Sequence, residues 1–265
     1  MIYNRPQKIA EILVEKIGVK KSKLSVNYLI LMGFLAGVYI AMGAQLATKV
    51  LAYVSDPGIG MLLSGSVFSV GLMLIVIAGG ELFTGNSLIL MSVLAGKVSV
   101  KSMLKNWSIV YLANLIGSIF MVFMMIKSGL LHHNGALNPA GDKAVNIAFI
   151  KTHLSFFQIF IRSILCNWLV CLAVWFSLAA HDISGKILGI FFPIMMFIAS
   201  GFEHCIANMY LIPIGMLLNT NPSVNIPISG LMKNLTVATI GNIIGGAFFV
   251  ASLYYYTYYQ HREKM

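Results

Sequence analysis

One carboxylate stands alone in a run of forty residues. Between Pro57 and Gly96 there is no Lys, Arg, Asp or His, and Glu81 is the only charge, set within Gly79-Gly80-Glu81-Leu82-Phe83-Thr84-Gly85-Asn86. A stretch this long and this apolar has few folds open to it. About 20 mostly apolar residues carry one helix across a bilayer, so this run exceeds a single straight span. Backbone polar groups inside lipid must find partners within the protein, which restricts spanning segments to helices and closed barrels. A membrane barrel would show ten-residue strands of alternating polarity, and the chain has none.

The same pattern recurs along the chain. Six segments read as spans: 27–50, 61–95, 105–127, 158–180, 187–217 and 231–259. Over the 265 residues, 58% are hydrophobic and 10% charged, whereas a water-soluble domain carries about 25% charged residues. These charges are too few to cover a water-facing surface. The fold class is an all-α integral membrane protein in contact with the lipid bilayer.

Basic residues set the expected orientation. Arg5, Lys8, Lys16, Lys20, Lys21 and Lys23 precede the first span, Lys97, Lys101 and Lys105 lie between the second and third, Lys186 between the fourth and fifth, and Arg262 and Lys264 follow the sixth. Twelve of the eighteen basic residues therefore share one side, which places both termini in the cytoplasm. This distribution accounts for the net charge of +10, so the charge is no sign of nucleic-acid binding. No apolar core precedes a small-residue cleavage site near the N-terminus, so residues 1–25 do not read as a signal peptide. Ile9, Ile12, Leu13 and Ile17 recur at helical spacing there, predicting a short amphipathic helix along the cytoplasmic membrane face. The membrane domain spans 26–260, and 261–265 form a cytoplasmic tail.

The chain repeats itself in order. KSKLS (21–25) precedes the first span and KTHLS (151–155) the fourth. Gly80-Glu81 followed by Asn86 is matched by Gly201-Phe202-Glu203 followed by Asn208, and Asn114-Leu115-Ile116-Gly117 by Asn242-Ile243-Ile244-Gly245. Two halves of three spans each, about 21–128 and 151–260, follow. An odd number of spans per half inverts the second half, so Lys21 and Lys151 sit at opposite mouths. Spans two and five are overlong and carry weak helix formers mid-membrane, Gly79, Gly80 and Gly85 in one and Ser200 and Gly201 in the other. Paired interruptions of this kind point to a transport site.

A charged carboxylate at the membrane centre costs roughly 2.5–3.5 kcal/mol. Glu81 and Glu203 either staple the broken helices, with Lys21 and Lys151 as partners, or touch a permeant directly. His204 is the histidine expected deepest in the membrane, with Thr84 read as the matching polar position in the other half. An imidazole can carry charge or pass a proton near neutral pH. Phe68, Leu72, Leu82, Phe83, Val170 and Phe197 surround these groups with apolar bulk, able to bar hydrated ions. Asn138-Pro139-Ala140 and Asn221-Pro222-Ser223 fall in loops and read as turns. Cys166, Cys171 and Cys205 form no zinc-type pattern and read as small core residues. No metal set or cofactor motif is present, and no enzymatic nucleophile accompanies the Glu203–His204 pair.

IAGGELFTG (77–85) and CNWLVCLA (166–173) resemble the two signatures of the formate/nitrite transporter family, and SGFEHCIANM (200–209) and TIGNIIGG (239–246) resemble its fifth- and sixth-helix motifs. Ser163 departs from the Gly or Ala usual in the second signature. The resemblance covers the whole membrane region. It implies an aquaporin-like protomer of six transmembrane helices in two inverted repeats, with broken second and fifth helices. It also implies a homopentamer with one pore per protomer, in the inner (plasma) membrane of a prokaryote. Carried onto this chain, it puts Thr84 and His204 in a central chamber. Phe68, Leu72 and Phe197 fall in a cytoplasmic constriction, and Leu82, Phe83 and Val170 in an outer one. Lys151, Glu203, Asn167 and Asn208 form a polar network on the outer side, with Lys21 and Glu81 as its inverted counterpart. The implied permeant is a small monovalent weak-acid anion: formate, nitrite or hydrosulfide. Competing readings are an aquaporin-like channel for neutral solutes and a membrane enzyme using Glu203 and His204.

Overall fold

A computed structural model describes residues 3–261. Arg262 and Lys264 of the expected cytoplasmic tail lie outside the described residues. Helix α1 covers 6–22, with a wider turn over Ile12–Ile17. It is followed by α2 (Val26–Tyr53), α3 (Pro57–Ala78), α4 (Gly85–Leu94), α5 (Val100–Lys127), α6 (Pro139–His153), α7 (Phe156–Ala179), α8 (Ile183–Ala199), α9 (Cys205–Leu218) and α10 (Ile228–Gln260). Among the described residues five helices are long and apolar enough to cross a membrane: α2, α3, α5, α7 and α10. The expected fifth span is two shorter apolar helices, α8 and α9, and the expected second span is α3 followed by α4.

The repeated sequence motifs have a local reason. Ser25 of KSKLS and Ser155 of KTHLS each cap the helix that follows, their hydroxyls accepting from the backbone N–H of Tyr28 and Gln158 at 3.3 Å. Asp56 and Asp182 do the same for α3 and α8 at 2.8 Å. Such caps satisfy N–H groups that have no partner inside the helix. The breaks between α3 and α4 and between α8 and α9 each turn on a glycine in the left-handed region, Gly79 (φ 104°) and Gly201 (φ 70°). Each glycine lies two residues before a glutamate, where a side chain would be strained.

The outer surface is apolar. Leu31, Leu112, Ile116, Phe123, Leu188 and Phe192 are each more than half exposed, a belt suited to lipid. Inside the bundle, close helix contact depends on small residues. A Cβ on Gly117 of α5 would fall on the carbonyl of Phe34 in α2, and one on Gly245 of α10 on that of Ile164 in α7. Small residues let membrane helices approach to backbone contact. All three cysteines are buried and free.

Two expectations need correction. Asn138-Pro139-Ala140 is not a free turn: Asn138 caps α6, accepting from the N–H groups of Ala140 (3.0 Å) and Gly141 (3.1 Å), with proline at the first helical position. Proline suits that position because its missing N–H would be unpaired anyway. Helix α1 buries Ile9, Ala10, Leu13 and Val14 against Leu88, Met91, Trp175 and Val250. Its apolar stripe therefore faces protein, not lipid, and Ser92 pins it by donating to the carbonyls of Leu13 and Val14.

Because both small-residue crossings are at backbone contact, Gly117→Ala and Gly245→Ala should each destabilise the fold by ~1–3 kcal/mol. The check is a lowered thermal unfolding temperature in detergent, against unchanged values for alanine at lipid-facing Leu112.

Candidate functional site

Each break frees backbone groups inside the bundle, and one asparagine per break pairs them. Asn114 of α5 donates to the carbonyls of Glu81 (2.9 Å) and Gly33 (2.8 Å) and accepts from the N–H of Phe83 (3.0 Å). Asn242 of α10 donates to the carbonyls of Glu203 (3.0 Å) and Ser163 (2.7 Å) and accepts from the N–H of Cys205 (2.8 Å). The N–H groups of Glu81 and Glu203 reach across to the carbonyls of Met32 and Arg162. The set of bonds is the same in both halves, residue for residue. Ser163, the departure from the signature, turns its hydroxyl back onto the Ile159 carbonyl of its own helix (2.6 Å).

Both glutamates are buried and paired. Lys21 Nζ lies 2.7 Å from both oxygens of Glu81, and Lys151 Nζ 2.8 Å from Oε1 of Glu203. Asn86 bridges Glu81 (2.9 Å) to Asn106 (2.8 Å), and Asn106 donates to the Lys21 carbonyl (3.1 Å). Asn208 likewise bridges Glu203 (2.6 Å) to Asn234 (2.7 Å), and Asn234 donates to the Lys151 carbonyl (3.0 Å). Among the described residues, Oδ1 of Asn208 is the one buried side-chain polar atom without a partner. Asn106, Asn234 and the role of Asn86 were not foreseen. A signal existed: Asn106 precedes Asn114 by eight residues, as Asn234 precedes Asn242.

Asn167, expected beside Lys151 and Glu203, lies elsewhere. Its amide donates to the carbonyl of Asn242 (2.6 Å) and to Thr84 O and Ser87 Oγ (both 3.3 Å). It holds the first break, because one turn of α7 separates it from the Ser163 end of the network. Asn234 takes the place expected for it.

Thr84 and His204 are both buried, and they meet. Thr84 Oγ1 is 2.9 Å from His204 Nε2. His204 caps α9, its Nδ1 accepting the backbone N–H of Ala207 at 3.1 Å. A ring nitrogen that accepts carries no proton, so the neutral ring has its hydrogen on Nε2 and donates it to Thr84. The threonine hydroxyl hydrogen is left free to donate in turn. The two residues do not hold matching positions, however. Measured from the glutamates, His204 corresponds to Leu82 and Thr84 to Ile206.

Three cavities surround this pair. One of about 220 Å³ is lined by Lys151, Glu203, Arg162 and Phe68, among others. A void of about 10 Å³ lies between Phe68, Leu72, Leu82, Val170, Phe197 and His204, with Phe68 and Phe197 packed edge to face at 5.5 Å. Roughly 10–15 Å³ is the least space that holds one water. A third cavity of about 30 Å³ is lined by Lys21, Gly85, Val174 and the Leu13–Gly18 part of α1. These positions reverse the expected sides of the apolar residues. Phe68 borders the Lys151 cavity, whereas the expectation put Phe68, Leu72 and Phe197 on the Lys21 side. Helix α3 starts at Asp56, past the far end of α2 from Lys21, so Phe68 meets the Lys151 side first. Val170 is one helical turn from Val174, which lines the Lys21 cavity, so Val170 is on that side. Phe83 is absent from the void. It packs against Tyr111 (5.0 Å) and Trp107 (6.1 Å), since adjacent residues of a non-helical segment point apart.

Comparison with known proteins adds a lineage. The model of the family described as formate/nitrite transporter matches residues 7–256. The chain is 43% identical over 254 residues to a probable formate transporter of Methanothermobacter thermautotrophicus, covering 90% of this chain and 91% of that one. It is 38% identical over 268 residues to a formate channel of Bacillus thuringiensis, covering the whole of both. A solved pentameric formate channel with formate bound superposes with a TM-score of 0.77 at 35% identity, over 88% of this chain and 97% of that one.

Removing one member of a buried ion pair strands the other, at about 3–5 kcal/mol. Lys151→Met should therefore lower the unfolding temperature in detergent more than Lys151→Met combined with Glu203→Gln does. Equal losses in the single and double variants would mean that the lysine does not neutralise Glu203.

Proposed function

The chain belongs to the formate/nitrite transporter family, and on that premise we propose that it passes formate, with nitrite and hydrosulfide as chemically similar alternatives, through a pore in each protomer of a homopentamer. By family it is an anion channel or transporter. The names of its relatives favour formate, and the pentameric neighbour favours the assembly. The duplicated bond sets around Glu81 and Glu203, in halves that begin at Lys21 and Lys151, support two inverted three-helix repeats. The basic residues before α2, between the second and third spans and near Lys186 support cytoplasmic termini, and the bacterial relatives support a plasma-membrane location.

The observation that carries the reading is the hydrogen bond between Thr84 and His204, beside a void walled by apolar side chains. A bare anion cannot enter such a void cheaply, since moving an isolated charge into a low-dielectric medium costs tens of kcal/mol. The lysines raise the anion's concentration at each mouth. Phe68 and Phe197 then form the barrier on the Lys151 side, and Leu82 and Val170 on the Lys21 side. Between them the Thr84 hydroxyl donates to the anion, replacing part of its hydration.

A proton hand-off completes the scheme. A neutral His204 cannot give up its Nε2 proton, because an imidazolate would remain. It must first gain a second proton, on Nδ1, and that nitrogen then no longer accepts from Ala207. Protonation thus uncaps α9, at about 1 kcal/mol for a helix cap. The Nε2 proton passes to Thr84 Oγ1 as the threonine proton passes to formate. Formic acid leaves, and the ring keeps its one hydrogen on Nδ1; it caps α9 again only once Nε2 has taken a proton from water and Nδ1 has released its own.

The test is anion flux into proteoliposomes of formate, nitrite, hydrosulfide and chloride at two pH values. Formate flux should exceed chloride flux and rise with acidity in the wild type. His204→Asn, which can cap the helix but not carry the proton, should lose the acid-stimulated part. Full flux with unchanged pH dependence in His204→Asn or His204→Phe would overturn the hand-off. Flux of water or glycerol without anions would favour the neutral-solute reading instead.

A further inference from the structure

The two mouths are built on one plan but charged differently. On the Lys21 side one lysine faces one glutamate. On the Lys151 side the cavity of about 220 Å³ is lined by Lys151 and Glu203 and also by Arg162. Two cations there face one carboxylate. Arg162 is the only arginine between Arg5 and Arg262, in a chain whose other fifteen basic residues are lysines.

The frame does not explain the guanidinium. The carbonyl of Arg162 accepts the N–H of Glu203 at 3.3 Å, and in the other half the carbonyl of Met32 accepts the N–H of Glu81 at 3.1 Å. A backbone role that methionine fills equally well needs no charge. Nor does Glu203 need a second cation, since Oε1 is held by Lys151 and Oε2 by Asn208 and Asn234. Among the described residues no side-chain partner is found for Arg162 itself. A guanidinium has five N–H donors in a planar fork and stays charged. Arg162 lines a cavity large enough for several waters, at ~30 Å³ each, together with Phe68 of the barrier.

We infer that Arg162 makes this cavity a docking site for a planar anion with two oxygens, and that the chain thereby favours carboxylate-type and nitrite-type permeants over single-atom anions. The inference rests on the transport reading above and deepens it. Two parallel N–H donors match the two oxygens of formate or nitrite, a geometry that a lysine ammonium does not offer. Hydrosulfide or chloride takes only the charge, which lysine supplies as well. Arg162 acts before the barrier, and the Thr84–His204 pair acts behind it.

The discriminating variant is Arg162→Lys, which keeps the charge and removes the fork. In proteoliposomes with the anion added on the Lys151 side, its half-saturation concentration for formate and nitrite should rise roughly tenfold, the loss of about one charge-assisted hydrogen bond. That for hydrosulfide should stay within about twofold, and its flux also reports that the variant is folded. Equal shifts for all three anions, or none, would overturn the inference. A second measurement uses the unaltered protein: phenylglyoxal, which modifies arginine, is added on the Lys151 side, and labelling of Arg162 is read by peptide mass. Formate and nitrite should slow labelling at concentrations where chloride does not, and equal labelling with all of them would again overturn it. Protection without formate flux would leave the docking site standing and refute the transport reading alone.

Discussion

The need to pair backbone groups where no water is available organises this molecule. Helices α3 and α8 each end at a break, at Gly79 and Gly201, freeing N–H and C=O groups in the core of the bundle. Asn114 and Asn242 meet this need by bracketing the breaks with two donated bonds and one accepted bond each. An unpaired buried backbone group costs about 1–3 kcal/mol, so each asparagine protects several kcal/mol of structure. The glutamates, lysines and outer asparagines then add a charged layer on each side. A non-helical stretch is held open to side-chain chemistry without exposing its backbone to lipid.

Chemistry enters where the two halves differ. The frame repeats from Lys21 to Asn114 and from Lys151 to Asn242, with the same bonds around Asn114 and Asn242 and the same residue types in the charged layers. Against it stand three mismatches: His204 opposite Leu82, Thr84 opposite Ile206, and Arg162 opposite Met32. Each puts a polar group where the other half has an apolar one, although His204 also caps α9. Thr84 comes from one half and His204 from the other, yet they share a single 2.9 Å bond. A purely symmetric chain would have produced two identical apolar or two identical polar centres. Departure from symmetry gives one polar point between apolar walls.

Much of this was legible in the sequence, and the limits are instructive. Span lengths, the two breaks and both Lys–Glu pairs followed from hydrophobic runs, glycines and isolated charges. These features are local, and each has one cheap solution in lipid. Asn106 and Asn234 were missed because an asparagine in an apolar helix has several partners within reach, and only their eight-residue spacing to Asn114 and Asn242 marks them. The sides of Phe68 and Val170 were reversed, since an apolar side chain carries no sign of the direction from which its helix enters. Asn167 was assigned to the wrong network for a related reason: one helical turn decides which break it holds. The amphipathic stripe of α1 suggests a lipid surface but does not say what covers it, and here protein does.

On the proposed transport reading, the pairing of each lysine with a glutamate also sets how strongly the mouths can hold an anion. An unpaired lysine in a half-buried mouth would trap a carboxylate, and conduction requires sites weak enough to leave. Lys21 and Lys151 each spend most of their charge on a buried partner at 2.7–2.8 Å. What remains is a modest attraction at either end of the path. Arg162 shifts that balance at one end only, by adding a charge whose shape, rather than its magnitude alone, decides what it holds. A site that distinguishes anions by geometry can be selective without binding tightly. The proposed passage needs that property, because the void of about 10 Å³ between Phe68, Leu82, Val170, Phe197 and His204 gives a hydrated ion no room to wait.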